Sequence, residues 1–529
     1  MNVVWERQRY KVDADWELQL ESGETRDGRG EIGPLPYGYH KLRAFGQDTL
    51  LIAAPLRAYA PEGKSWGIFA PLYAMRTDRS WGAGDLGDMQ SYRQWVTSLG
   101  GNIVATLPML AIDTEGDPSP YSPLSRLFWN EMYLDIERVP EFDPSDRDAA
   151  TIAALQNTDT VDYAGVMREK KRVLQKMLER FKPDTEYEEF ANRARDYARF
   201  RGDERLYLYA QYRMEQQLRE IDGLYLDFPL GVNPNGYDAE RYAQSFARGV
   251  TVGAPPDLFF TKGQNWGFAP FDPDAIREQH YDYFRAAIAH HASHAGVLRI
   301  DHVMGLHRLF WIPQGGEPKD GVYVRYPEKE LYAILCVESN RHRCSIVGED
   351  LGTVPQYVPA MMKKHGLRRM YVVQYEASPS VAAGFSPPRE TVASINTHDM
   401  PTFTGFWKAR DVAERVEQGL LDDRGAREER QKRGGIRDAL CRFLTARGLL
   451  PDDSGNVRSI LEALLRFLAA SSAEIVLVNL EDLWLETEPQ NRPGLPERSW
   501  RQKFMLTLEQ AQRDPEVMRA LRKVNGNAT

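Results

Sequence analysis

The sequence predicts a (β/α)8 barrel with helical insertions and a small β-rich domain at its N-terminus. Three observations lead there. Short apolar runs rich in Val and Ile recur along the chain, bounded by turn-forming or polar sequence. Three of them lead to a carboxylate: VLRID to Asp301, SIVGE to Glu349 and TVASINTHD to Asp399. A barrel of parallel strands presents its working side chains in this way, at the C-terminal strand ends. Finally, 529 residues, 42% of them hydrophobic, suit a decorated barrel better than one ordinary domain.

Residues 1–60 alternate short apolar pieces (VVW, WELQL, YGYHKL, TLLIAAP) with Gly- and Pro-bearing turns, GRGEIGPLP among them. That pattern predicts a separate β-rich domain. It could serve as a ligand-binding module or as a structural or dimer-forming appendage, and no clear aromatic platform can be read in it. The barrel, residues 61–529, opens near Ser65 with WGIFAPLYAM, and NIVATLPML supplies the second strand. An insertion at about 161–222 follows, where Tyr163, Val166, Met167, Val173, Leu174, Met177, Leu178 and Phe181 recur near the helical period.

LYLDFPLGV is the third strand, VLRID the fourth and SIVGE the fifth, with LYAILCVESNRHRC as the helix between those two. RRMYVVQYEA, TVASINTHD and AEIVLVNLEDL complete the eight. A second helical insertion spans about 407–468, and its mixed-charge run RGAREERQKRGG reads as a solvated helix face or a mobile loop.

Acids at three strand ends suggest glycosidic chemistry: a nucleophile, a proton donor and a carboxylate that grips the sugar. Taken singly, a strand-end acid is more often a helix cap or salt-bridge partner; the flanks argue for more. Arg299 stands two residues before Asp301, so strand alternation points both to one face, where a guanidinium keeps a carboxylate ionised. Asp350, beside Glu349, would help a general acid hold its proton. His398 adjoins Asp399 and can hydrogen-bond sugar hydroxyls. His302 should point to the opposite strand face, in a structural role. Asp227 could face the site or simply fix a loop.

The segments LRIDHVMGL, VGEDLGTVP and INTHDMPT resemble the signature regions of the 4-α-glucanotransferases, or amylomaltases, of glycoside hydrolase family 77. SWGAGDLGDM (80–89), SPYSPLSRLFWN (119–130), GLYLDFPLGV (223–232), GAPPDLFFTKGQNWG (253–267) and QNRPG (490–494) continue the resemblance in the family's order. It implies Asp301 as nucleophile, Glu349 as general acid/base and Asp399 as transition-state stabiliser. It also implies substrate contacts from Tyr121, Arg299, His398, Gln264, Trp266 and Asn491, the loop around Trp266 folding over bound glucan. The implied activity is retaining transfer of α-1,4-glucan segments to the 4-hydroxyl of an acceptor glucose or maltooligosaccharide. The chain departs from shorter members after SPY and after GQNWG, which bears on donor- and acceptor-side preference. Trp266, amid Gly263, Gln264, Asn265 and Gly267, is well placed to stack on a pyranose ring.

Composition is compatible with that reading. The net charge of −9 argues against nucleic-acid or anionic-membrane partners and suits a neutral glucan derived from starch or glycogen. Cys336, Cys344 and Cys441 have no pairing pattern, so reduced thiols, a cytoplasmic location and no zinc are expected. The cluster HHASH (290–294) is expected on a helix surface rather than around a metal, and the chemistry calls for no cofactor. An α-amylase-type hydrolase or branching enzyme would carry a DxxxNH pattern that GLYLDFPLGVN lacks, and a non-catalytic glucan-binding or scaffold barrel would usually have lost an acid.

Overall fold

A computed structural model describes residues 2–256, 262–380, 385–451 and 455–526. The N-terminal strands are β1 (Asn2–Trp5), β2 (Tyr10–Gln19), β3 (Thr25–Ile32), β4 (Gly38–Ala44) and β5 (Gln47–Ala54). Next come β6 (Ser65–Phe69), β7 (Ile103–Ala105), β8 (Leu224–Phe228), β9 (Val250–Ala254), β10 (Gln264–Asn265) and β11 (Val297–Ile300). The remainder are β12 (Arg308–Pro313), β13 (Val322–Arg325), β14 (Ser345–Gly348), β15 (Arg369–Val372), β16 (Thr391–Ser394) and β17 (Ile475–Asn479).

The eight-stranded sheet has the order β14-β11-β8-β7-β6-β17-β16-β15. Its recorded strand pairings are parallel, and an isolated parallel bridge joins Val347 of β14 to Arg368, just before β15. This is the (β/α)8 barrel the sequence predicts, each strand falling in its expected run. Apart from the first residues of β15 and the ends of β6, these strands are buried on both faces, which is why they read as continuous apolar runs rather than alternating ones.

The chain forms two compact units. The first comprises Met1–Glu62, Tyr121–Phe128 and Leu226–Arg369. In it, β1–β5 make a five-stranded sheet over a core that includes Val4, Val12, Leu18, Ile32, Leu42 and Leu51. The turn expected at GRGEIGPLP begins only after Ile32, because Gly28 and Gly30 lie inside β3. Gly28 pairs with Trp16 of β2, and a Cβ there would come within 2.6 Å of the indole. A glycine therefore keeps the strand under the ring.

The sheet and the segment after it are fastened to two helices, Glu328–His342 and Tyr357–His365. Tyr39 Oη donates to Glu338 at 2.6 Å, Tyr59 N to Ser339 Oγ at 2.8 Å, and Ala58 N to the His365 carbonyl at 2.8 Å. A second sheet, β10-β9-β12-β13, completes this unit. His291, on the helix Asp282–Ala292, is buried, with Nδ1 2.8 Å from the Ala287 carbonyl. The surface expectation for HHASH thus fails at its middle histidine.

The second unit comprises Gly63–Pro120, Trp129–Tyr225 and Met370–Thr529. Its helices Tyr163–Arg180, Thr185–Phe200 and Glu204–Arg219 bury Tyr163, Val166, Met167, Val173, Leu174 and Met177 of the predicted stripe. The mixed-charge run falls within the helix Asp423–Ala446. Arg433 in it is not solvated: it is buried, pairs with Asp411 at 2.9 Å and donates to the Phe406 carbonyl at 2.6 Å.

Candidate active site

In the first unit, β11 ends at Ile300 and Asp301 is the next residue. Arg299 reaches the Asp301 carboxylate at 3.1 Å, as strand alternation requires. The same guanidinium lies 2.7 Å from both oxygens of Asp227 on β8, and Tyr121 Oη donates to Asp227 at 2.6 Å. Burial works against the charge on Arg299, but the charges of Asp227 and Asp301 more than offset it and hold its pKa well above the ordinary value. Asp227 is buried with it. Losing Asp227 would leave the buried Arg299 with Asp301 as its remaining ion-pair partner in this cluster, at 3.1 Å.

Glu349 follows β14 directly. Its carboxylate accepts from the backbone N–H of His302 at 3.1 Å and of Leu351 at 2.7 Å. Although the residue keeps some surface, protein atoms surround the carboxyl, and burial pushes its pKa up to about 7. Arg299 opposes that rise, and the Asp301 charge adds to it. Asp350 contributes least of the causes and is itself bound to Arg369. Desolvation, rather than the adjoining acid, is the main reason this group holds a proton.

His302 does not occupy the opposite strand face. The strand has ended, and His302 takes a left-handed backbone with φ +48°. That turn delivers its N–H to Glu349 and sets its ring edge-on to Trp266, with centroids 5.3 Å apart. Burial lowers its pKa to about 4, so the ring is neutral at pH values near 7.

Gln264 and Asn265 form the edge strand β10 against β9 rather than a free loop. Trp266 N bonds the Val252 carbonyl at 2.9 Å, and its half-exposed indole stacks on Phe268 at 6.3 Å. Residues 257–261 of the motif at 253–267 lie outside the described residues.

The second unit holds the third acid. Asp399 lies five residues beyond β16 and keeps 48% of its side chain exposed. His398 Nε2 stands 3.1 Å from one carboxylate oxygen, and Asn491 Nδ2 donates to the other at 2.8 Å. The buried His398 ring stacks on Phe69, at the end of β6, with centroids 5.6 Å apart, and Trp500 lies 6.2 Å from it. Sequence reasoning missed Phe69 and Trp500, and Asp227 only divided it. A strand-terminal aromatic at Phe69 was the one available signal. Among the described residues no group of His, Cys, Asp or Glu is arranged to hold a metal.

The sequence profile of the 4-alpha-glucanotransferase family matches residues 70–220 and 203–507. The chain belongs to that family. Members of the 4-α-glucanotransferase family, this chain among them, transfer α-1,4-glucan segments from a donor to an acceptor sugar with retention. The 4-alpha-glucanotransferase of Mycobacterium tuberculosis strain H37Rv is 31% identical over 92% of this chain and 82% of its own length. That of Haemophilus influenzae is 29% identical over 88% and 79%. The amylomaltase structure from Corynebacterium glutamicum aligns with a TM-score of 0.88 at 25% identity, covering 100% of this chain and 89% of that one. The Streptococcus agalactiae amylomaltase, solved with acarbose, shares the fold with a TM-score of 0.70 at 17% identity, covering 87% and 98%.

Proposed function

We propose that Asp301 is the nucleophile of the transfer reaction, Glu349 its general acid and base, and Asp399 the carboxylate that grips hydroxyls of the distorted sugar. The Asp301 carboxylate attacks the anomeric carbon while Glu349 gives its proton to the departing glycosidic oxygen. The glucan is then held as an ester on Asp301. Glu349, now ionised, takes the proton of the acceptor's 4-hydroxyl, whose oxygen attacks the anomeric carbon and frees Asp301. Two displacements leave the anomeric configuration unchanged.

The observation that carries this reading is the contrast between neighbouring carboxyls. Asp301 lies against Arg299 at 3.1 Å, whereas burial lifts Glu349 to about 7. Environments that separate two acids in this way assign one to attack and the other to proton transfer. In the same reading Tyr121, His398 and Asn491 contact substrate, and Gln264 and Trp266 receive the acceptor, the indole stacking on its ring.

The substrates are maltooligosaccharides derived from starch or glycogen. Three buried thiols, Cys336, Cys344 and Cys441, support a reducing compartment, the cytoplasm. Among the described residues no helix is long and apolar enough to cross a membrane. The strands β1–β5, ending at Ala54, support residues 1–60 as a domain beside a barrel of 61–529 with insertions at about 161–222 and 407–468.

The direct test is Asp301→Asn, which keeps the shape and removes the attacking charge. Turnover of maltotriose should fall on the order of 10⁴-fold while glucan binding persists. Parental turnover in this variant would reject Asp301 as the nucleophile.

A further inference from the structure

Residues 490–500 leave the barrel after β17 and return to it. Both ends of this excursion address the His398–Asp399 pair: Asn491 bonds Asp399 at 2.8 Å, and the Trp500 indole lies 6.2 Å from His398. The neck is closed by the backbone. Trp500 N donates to the Gln490 carbonyl at 2.7 Å, and Ser499 Oγ bonds both the N–H and the carbonyl of Arg492, at 2.9 and 3.2 Å. Trp500 holds a left-handed conformation, φ +61°, and its carbonyl accepts from Tyr163 Oη at 2.5 Å. An unfavourable backbone at a non-glycine residue persists only where its surroundings impose it.

The start of the neck is anchored by the side chain of Gln490, which is 1% exposed. Its amide is held at both ends. Tyr73 Oη, from the turn after β6, donates to Oε1 at 2.9 Å, and Nε2 donates to Glu481 Oε2 at 2.6 Å. Glu481, two residues beyond β17, is buried, and no cation pairs with it among the described residues. Burial raises its pKa to about 8; the Gln490 bond opposes the rise, and Asp482 and Glu486 add to it. A buried carboxyl without a cation avoids the cost of a buried charge by keeping its proton and satisfying its oxygens with hydrogen bonds. Here it fixes the rotamer of the residue immediately before Asn491.

We propose that Gln490, clamped between Tyr73 and Glu481, is a positioning residue that sets Asn491 against Asp399. The inference rests on the proposed role of Asp399 as the carboxylate gripping the sugar. Gln490 touches no substrate; it acts through Asn491. Loosening it lets the neck pivot, so the contact that strengthens in the transition state is lost while ground-state binding of the donor is largely kept.

A double-mutant cycle tests this on the full-length enzyme with maltotriose. Gln490→Leu keeps the bulk of the side chain and removes both hydrogen bonds, and kcat should fall about tenfold with KM changed less than about twofold. In an Asn491→Ala background the same substitution should cost less than about twofold more, since the contact it served is gone. Glu481→Gln, which retains an acceptor for Gln490, should recover most of what Glu481→Leu loses. If Gln490→Leu does not fold, Tyr73→Phe, which removes one hydroxyl donor, is put through the same cycle.

Additive kcat losses, or a loss confined to thermal stability, would overturn the positioning role. The underlying reading fails separately: it falls if Asp399→Asn leaves kcat at the parental level. If Asp399→Asn and Asn491→Ala both lower kcat and Gln490→Leu does not, only the inference about Gln490 falls.

Discussion

Glu349 and Glu481 are a natural pair for comparison. Each follows a barrel strand by one or two residues, and burial lifts each far above an ordinary carboxyl, to about 7 and about 8. Their surroundings differ. Glu349 has Arg299 and Asp301 within electrostatic reach, two backbone donors on its oxygens, and some remaining surface. Glu481 is sealed in, with the amide of Gln490 bonded to it and two further acids nearby. A raised carboxyl pKa therefore does not by itself mark a proton donor. What distinguishes Glu349 is the neighbouring Asp301, the proposed nucleophile, and the surface it keeps. Glu481 has neither, and its proton serves to keep a hydrogen-bonded clamp neutral.

The comparison breaks first at Glu349. Glu349→Gln should lower turnover of maltotriose by about 10²–10⁴-fold, because a poor leaving group needs the proton. A glycosyl fluoride should still form the covalent sugar on Asp301, which would accumulate without a base to complete transfer. Equal loss on both donors would remove the acid/base role. Next, kcat/KM should fall about tenfold per pH unit above roughly pH 7, since the acid must be protonated to act. That limb should be absent when the Glu349→Gln variant is assayed on the fluoride. A limb that survives there belongs to another group.

Trp266→Ala is expected to act more gently. The indole backs onto His302, whose N–H holds Glu349, and it is proposed to stack on the acceptor. The hydrolysed share of the product should rise about threefold by loss of acceptor orientation. The alkaline limb should move to lower pH as water reaches the carboxyl. An unchanged transfer-to-hydrolysis ratio would reduce Trp266 to packing.

The smallest effect concerns Glu481 and is thermal. Its folded pKa of about 8 exceeds the ordinary 4.5, so its contribution to stability is full below 4.5 and is lost as pH rises through 8. Glu481→Gln abolishes that titration. Its Tm should therefore decline less than the parent's between about pH 5 and about pH 8, and identical slopes would contradict the buried acid.

Much of this was legible in the sequence, for a local reason. A buried parallel strand writes itself as a Val- and Ile-rich run, and a residue at its end is one step from the last apolar position. So VLRID, SIVGE and the other six strands could be found, along with Asp301 and Glu349. Arg299 was readable because alternation over two residues is reliable within a strand.

Where the strand stops, the rule stops with it. His302 was assigned to the wrong face because the chain turns left-handed at that residue. Asp350 does raise Glu349, as read, but least of the causes, because Arg369, from a different strand, engages it. Gly28 looked like a turn because its partner, the Trp16 ring, sits on the neighbouring strand. The Tyr73–Gln490 contact spans 417 positions and carries no local pattern at all.

The fastening of the N-terminal sheet has a consequence for how the first unit comes apart. Arg57 donates to the Lys363 carbonyl at 3.0 Å and accepts from Asn340 at 2.8 Å, while the Leu56 carbonyl lies 2.9 Å from His365 Nδ1. These bonds, with those of Tyr39, Ala58 and Tyr59, tie the segment to the two helices that bracket β14 in sequence. Releasing the sheet would uncover both helices and loosen the strand that leads to Glu349. Amide hydrogens of β4, β5 and β14 should then exchange with solvent through one shared opening of similar free energy, a single cooperative block in which the first sixty residues help protect a proton-carrying glutamate far along the chain.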